Sequence, residues 1–132
     1  MVPSTIQAAA LWGGLLILLL FVLSGMAAGR RRTLRIPFGD GGQSDLSVAV
    51  RAFGNATEYI PAGLCGLILL AFLDTPPALI HLVGGLMFAG RLIHAGAVLY
   101  LPGLSLARAA GMTLTWLSML IAGISLIAWS VL

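Results

Sequence analysis

The sequence predicts an all-α integral membrane protein, a bundle of four spanning helices, on three observations. Of the 132 residues 60% are hydrophobic and 8% are charged, and the mean hydropathy is +1.08, far above that of a water-soluble domain. Apolar stretches of the ~20 residues needed to cross a bilayer recur four times, leaving short loops and no room for a separate soluble domain. The seven arginines, unaccompanied by any lysine, cluster beside the ends of these stretches or punctuate them. With four acids they give a net charge of +3 and a pI near 10.0. In a soluble chain that balance would point to nucleic acid, but beside apolar spans it reads as topology, and no nucleic-acid partner is expected. Cys65 is the only cysteine, which excludes an intrachain disulfide and any CxxC metal or redox motif, so no metal site is expected either.

The first span covers residues 5–28, uncharged and followed at once by Arg30, Arg31 and Arg32. A cleaved signal peptide carries its positive charge before the apolar run, so helix 1 stays in the membrane. The loop TLRIPFGDGGQSD supplies Pro37 and three glycines as breakers, and Ser44 or Asp45 can cap the next helix, expected over 46–73. DTPP forms a short connection to helix 3, residues 78–100. Pro102 and Gly103 break the chain again, Arg108 marks the far edge of that loop, and helix 4 covers 110–131. Trp12 and Trp129 can anchor at an interface, Gly25 and Gly29 have a spacing that lets helices approach, and Cys65 reads as a packing residue. Arg30, Arg31, Arg32 and Arg35 in the first loop and Arg108 in the third make those loops cytoplasmic. Both termini are then periplasmic.

Polar residues inside spans carry the functional signal, because an unpaired charge at mid-bilayer costs ~2.5 to 3.5 kcal/mol on insertion scales. Arg51, Asn55, Glu58 and Tyr59 fall within a sector of about 100° on helix 2, making one polar stripe. An Arg51–Glu58 pair that only holds the bundle together is one explanation; Asn55 and Tyr59 add hydrogen-bonding capacity that such a pair does not require. Pro61 has no N–H for the Thr57 carbonyl and should bend the helix where the stripe ends. On helix 3, Arg91 and His94 share a face at a comparable depth, while His81 lies near the opposite end and reads as structural. Arginine forks for carboxylates, a carboxylate for an ammonium, and an amide and a phenol for peptide groups suit a small zwitterionic ligand. A tripeptide such as glutathione has those groups.

The segment RAFGNATEYIP, Arg51 to Pro61, resembles the helix 2 signature of the membrane-associated proteins in eicosanoid and glutathione metabolism, the MAPEG family. GRRRTLRIPFGDGG before it and AGRLIHAG after it resemble that family's bacterial inner-membrane branch, so the similarity runs through nearly the whole chain as a single domain. The resemblance implies a homotrimer of four-helix protomers with glutathione as cosubstrate, held between neighbours near the cytoplasmic face, and a lipophilic substrate entering from the lipid. By position it assigns glutathione contacts to Arg51, Asn55, Glu58 and Tyr59, to Arg30 from a neighbour, and to Arg91 and His94 of the RxxH pattern. Two departures stand out. The helix 3 position that often holds Tyr is Val98, and the thiol-activating Arg aligns uncertainly with Arg108. A guanidinium beside a thiol favours the nucleophilic thiolate, so Arg108 or Arg31 is the catalytic candidate, each also explicable as a positive-inside anchor. The expected function is a glutathione-dependent transferase or peroxidase acting on lipophilic electrophiles. The alternative is a non-catalytic member that binds and presents lipid. A small proton-coupled exporter would need an acid in helix 1, which has none.

Overall fold

The computed structural model describes residues 4–101, 103 and 105–131. Four helices follow one another: α1 (Thr5–Leu34), α2 (Ser44–Phe72), α3 (Pro77–Tyr100) and α4 (Leu106–Ser130). All four are long and apolar enough to cross a membrane, and with short links between them they form an up-down-up-down bundle. Among the described residues α1 packs on α2 and α3, α4 packs on α3 and α2, and α1 and α4 do not meet. The first and third connections therefore share one end of the bundle with Arg51. The turn at Asp74, the start of α1 and the end of α4 share the other.

The helix ends differ from expectation, for local reasons. α1 does not stop at the last apolar residue. Arginine is a good helix former and no breaker precedes Pro37, so the helix carries Arg30, Arg31 and Arg32 for a further turn and a half. It ends in a reverse turn in which Arg35, at φ 55°, donates its N–H to the Arg32 carbonyl and Ile36 donates to that of Arg31. α2 begins after Gln43 with no side-chain cap, so neither Ser44 nor Asp45 acts as the cap; both lie inside the first turn. α4 starts earlier than expected because the Ser105 hydroxyl accepts from the Arg108 N–H, placing Arg108 in the first helical turn and not in the loop. Pro102, expected to break the chain here, lies outside the described residues.

The core is a column of Leu16, Leu23, Ile60, Leu67, Leu70, Ile80, Val83 and Met87. Three glycines set how closely the helices approach. A Cβ on Gly84 would fall inside the Trp12 indole, one on Gly63 would lie 2.7 Å from the Met87 methyl, and one on Gly90 would lie 2.8 Å from the Gly111 carbonyl oxygen. Gly25 and Gly29, whose spacing lets helices approach, have nothing within 4 Å of such a Cβ inside the chain. Trp12 is not a free interfacial anchor: its Nε1–H donates to His81 Nδ1 at 3.1 Å, tying α1 to α3. Cys65 is exposed on the outside of α2 and does not pack in the core. Exposed apolar side chains such as Ile17, Leu18, Phe21, Ile124 and Ile127 face outward, as in a bundle solvated by lipid tails.

Candidate functional site

α2 and α4 touch low in the bundle, where a Cβ on Gly66 would lie 3.6 Å from that of Ala122. Towards the arginine-rich end they enclose a cleft of about 870 Å³. Arg51, Gly54, Asn55 and Glu58 supply one wall and Ser105, Leu106, Arg108, Ala109, Met112, Thr113 and Trp116 the other, with His94 of α3 between them. The spacing on α2 is helical, so its polar residues project into one space.

Arg91 lies beneath this cleft, only 1% exposed. Its Nε–H donates to Thr115 Oγ1 at 2.8 Å, one terminal nitrogen donates to Asn55 Oδ1 at 2.7 Å, and the other reaches the Met112 sulfur at 3.1 Å. The guanidinium carbon stands 4.8 Å from the centre of the Tyr59 ring, a cation–π geometry. Thr115 is held in turn, donating to the Gly111 carbonyl at 2.9 Å. The close Gly90–Gly111 crossing brings α4 within reach of the α3 guanidinium. One amide links the buried guanidinium to the cleft: Asn55 accepts from Arg91 and donates to Glu58 Oε2 at 3.4 Å. Glu58 is thereby linked to Arg91 through Asn55, and its hydrogen-bond partner is that amide and not Arg51.

The expected stripe is therefore divided by the fold. Arg51, Asn55 and Glu58 line the cleft with His94 and Arg108; Tyr59 and Arg91 form the layer under it. Arg108 donates through one terminal nitrogen to the Gly103 carbonyl at 2.6 Å, which steadies its side chain at the cleft wall. Arg30 and Arg31 are not among the residues lining this cleft. Arg31 donates to the Gly39 carbonyl at 2.7 Å, in a separate pocket at the end of α1, and Arg30 keeps a buried terminal nitrogen that has no partner. Val98 is buried in the core and offers the cleft no hydroxyl. Sequence reasoning missed Thr115, Met112 and Trp116. A threonine one turn after Gly111, in an otherwise apolar span, was the available signal. Among the described residues no group of three or more His, Cys, Asp or Glu side chains could hold a metal ion.

An arrangement with a buried cation, a carboxylate at the rim, two further guanidiniums and an imidazole, opposite a wall carrying Leu106, Met112 and Trp116, accommodates a ligand with both charged and apolar parts. Comparison with known proteins bears on which. The family model for the MAPEG family matches residues 9–128. The inner membrane protein YecN of Escherichia coli strain K12 is 34% identical over 112 residues, covering 85% of this chain and 84% of YecN. Inner membrane protein YecN of E. coli O6:H1 strain CFT073 matches with the same identity and coverage. No solved structure matches the chain.

Proposed function

Since the chain belongs to the MAPEG family, we propose that it is a glutathione-dependent transferase or peroxidase of the bacterial inner membrane, acting on lipophilic electrophiles. The observation that supports this reading is the cleft itself. Its 870 Å³ falls in the ~300 to 1,000 Å³ range of small-molecule sites, and its charges are distributed as a zwitterionic tripeptide needs. Arg51 takes a tripeptide carboxylate, Glu58 the ammonium, Asn55 and His94 the peptide groups, and Arg91 with Tyr59 supports Asn55 from below. The thiol is placed beside Arg108 or Arg31, whose positive charge favours loss of the sulfhydryl proton. The sulfur lone pair then forms a bond to the electrophilic carbon, and the leaving group departs with the electrons of the bond that breaks.

In this reading a homotrimer completes the site, α1 of one protomer closing the cleft of the next and bringing Arg30 and Arg31. Two features of the single protomer support that arrangement: α1 and α4 do not meet, and a buried Arg30 nitrogen has no partner. Both termini lie in the periplasm, with the arginine-rich end and the cleft on the cytoplasmic side.

A thiolate absorbance titration of the purified protein with glutathione tests the reading. Glu58→Gln should weaken binding by roughly tenfold or more through loss of a charge-assisted hydrogen bond of ~1.5 to 3 kcal/mol. Arg108→Ala should leave affinity near that of the wild type and lower the rate at saturating glutathione. The buried Val98, lacking the hydroxyl that the family often places there, favours a second reading as a lipid-presenting protein. Lipid binding without a thiolate signal or turnover on apolar electrophiles would select that reading.

A further inference from the structure

On the last turns of α1, outside the cleft, Arg31, Arg32 and Arg35 line an open pocket of about 550 Å³ together with Ala28, Ile36 and Pro37. The backbone under it is fixed by the paired turn bonds, Arg35 N–H to Arg32 at 3.3 Å and Ile36 N–H to Arg31 at 3.1 Å. Those bonds fold Ile36 and Pro37 back against the helix. Arg35 occupies a left-handed conformation, φ 55° and ψ 36°, which glycine adopts without steric penalty and which glycine commonly supplies at helix ends for that reason. A long charged side chain is thus kept where a glycine would fit the backbone better. Nearby charge does not cancel these arginines. Asp40 is the one acid between Gly29 and Gln43, and its carboxylate accepts from the Gly42 N–H at 3.0 Å.

Depth identifies the ligand. A helix of 30 residues is ~45 Å long, and the hydrocarbon layer is ~30 Å thick. The apolar part of α1 fills that layer, so the turn beginning at Arg30 stands at the level of the lipid headgroups. The adjoining loop holds Phe38 87% exposed there, with Leu34 also exposed. A helix C-terminus carries about −0.5 charge, which opposes an anion, but three guanidiniums around one pocket outweigh it. We infer that this pocket binds the phosphate headgroup of an anionic phospholipid. Arg32 and Arg35 hold the phosphate oxygens, Arg31 anchors the loop through Gly39, and Ala28, Ile36 and Pro37 lie against the glycerol and first methylenes.

Native mass spectrometry of the full chain released from detergent in the presence of phosphatidylglycerol or phosphatidylcholine tests the assignment. The wild type should retain phosphatidylglycerol at least tenfold better, with the preference falling as salt rises. R32Q/R35Q should bring the two lipids to near parity while glutathione titrates as in the wild type, because neither residue belongs to the cleft. R35G should unfold no earlier than the wild type in a thermal scan, since glycine relieves the left-handed backbone, and should still lose most of the preference. Equal retention of the two lipids by the wild type would overturn the proposal, as would an undiminished preference in R32Q/R35Q or R35G. Displacement of phosphatidylglycerol by millimolar glycerol phosphate would make this a soluble-phosphate site and overturn it also.

Discussion

The two ends of the bundle use polar residues in opposite ways. At the end holding the Asp74 turn the contacts between helices are made pairwise, and the buried Thr75 hydroxyl is the exception that has no partner. Thr5 Oγ1 donates to Asp74 at 3.1 Å, and Trp12 Nε1 donates to His81 at 3.1 Å with the rings meeting at 77°. These are one-to-one contacts that fasten α1 to the turn and to α3. At the other end Arg91 makes three hydrogen bonds and a cation–π contact to α2 and α4, and a chain of contacts leads through Asn55 to a carboxylate facing an open cleft. Groups that satisfy only each other lock helices. Groups with unspent donors and acceptors beside a cavity are arranged for a guest.

The contrast can be broken most severely at Asn55. Asn55→Leu removes the acceptor for a buried guanidinium and its link to Glu58. It should cost about 3 kcal/mol, since hydrogen bonds to charged groups contribute ~1.5 to 3 kcal/mol and a stranded buried charge costs more. Arg91→Met, which removes the buried charge and keeps an unbranched side chain, should destabilise less than Asn55→Leu in detergent unfolding yet lose glutathione binding. If Arg91→Met binds as before, the buried cation serves only packing.

A smaller effect is expected from Gly90→Ala. Its Cβ would lie 2.6 Å from Thr115 Oγ1 and 2.8 Å from the Gly111 oxygen, forcing α3 from α4 at a cost of about 1 to 3 kcal/mol. Because that shift moves Thr115 away from Arg91, ligand affinity should fall with stability, and the two are read from one thermal series with and without glutathione. Least of all, Trp12→Phe should cost about 1 kcal/mol for one neutral hydrogen bond and leave glutathione affinity unchanged. A loss of affinity there would show that the two ends are coupled.

The four helices were legible because length and absence of charge are properties of the chain itself. Their ends were less so. α1 outlasts its apolar stretch because nothing in RRRTL breaks a helix, and α4 begins early because a serine hydroxyl caps it. At the site, period and spacing correctly put Arg51, Asn55 and Glu58 on one face, and His94 and Arg108 join them in the cleft. Periodicity does not say which member of a polar face is floor and which is wall. That distinction depends on how near α4 comes, and the nearness is set at Gly90 and Gly111, two glycines among 17. Spacing likewise does not say what Gly25, Gly29 and Cys65 pack against, and within the chain all three lie on the outer face.

The Gly90–Gly111 crossing also determines how the cleft can change width. With a Cβ on Gly111 falling 2.6 Å from the His94 backbone nitrogen, α3 and α4 have no clearance in which to slide past one another, and they act as a fixed jaw. The opposite wall is α2, which meets α4 lower down at Gly66 and contains Pro61, whose missing N–H leaves the Thr57 carbonyl without a helical donor. The Asn55–Arg91 bond ties that wall to the fixed pair at the base of the cleft, so a change in width would fall on α2 above it.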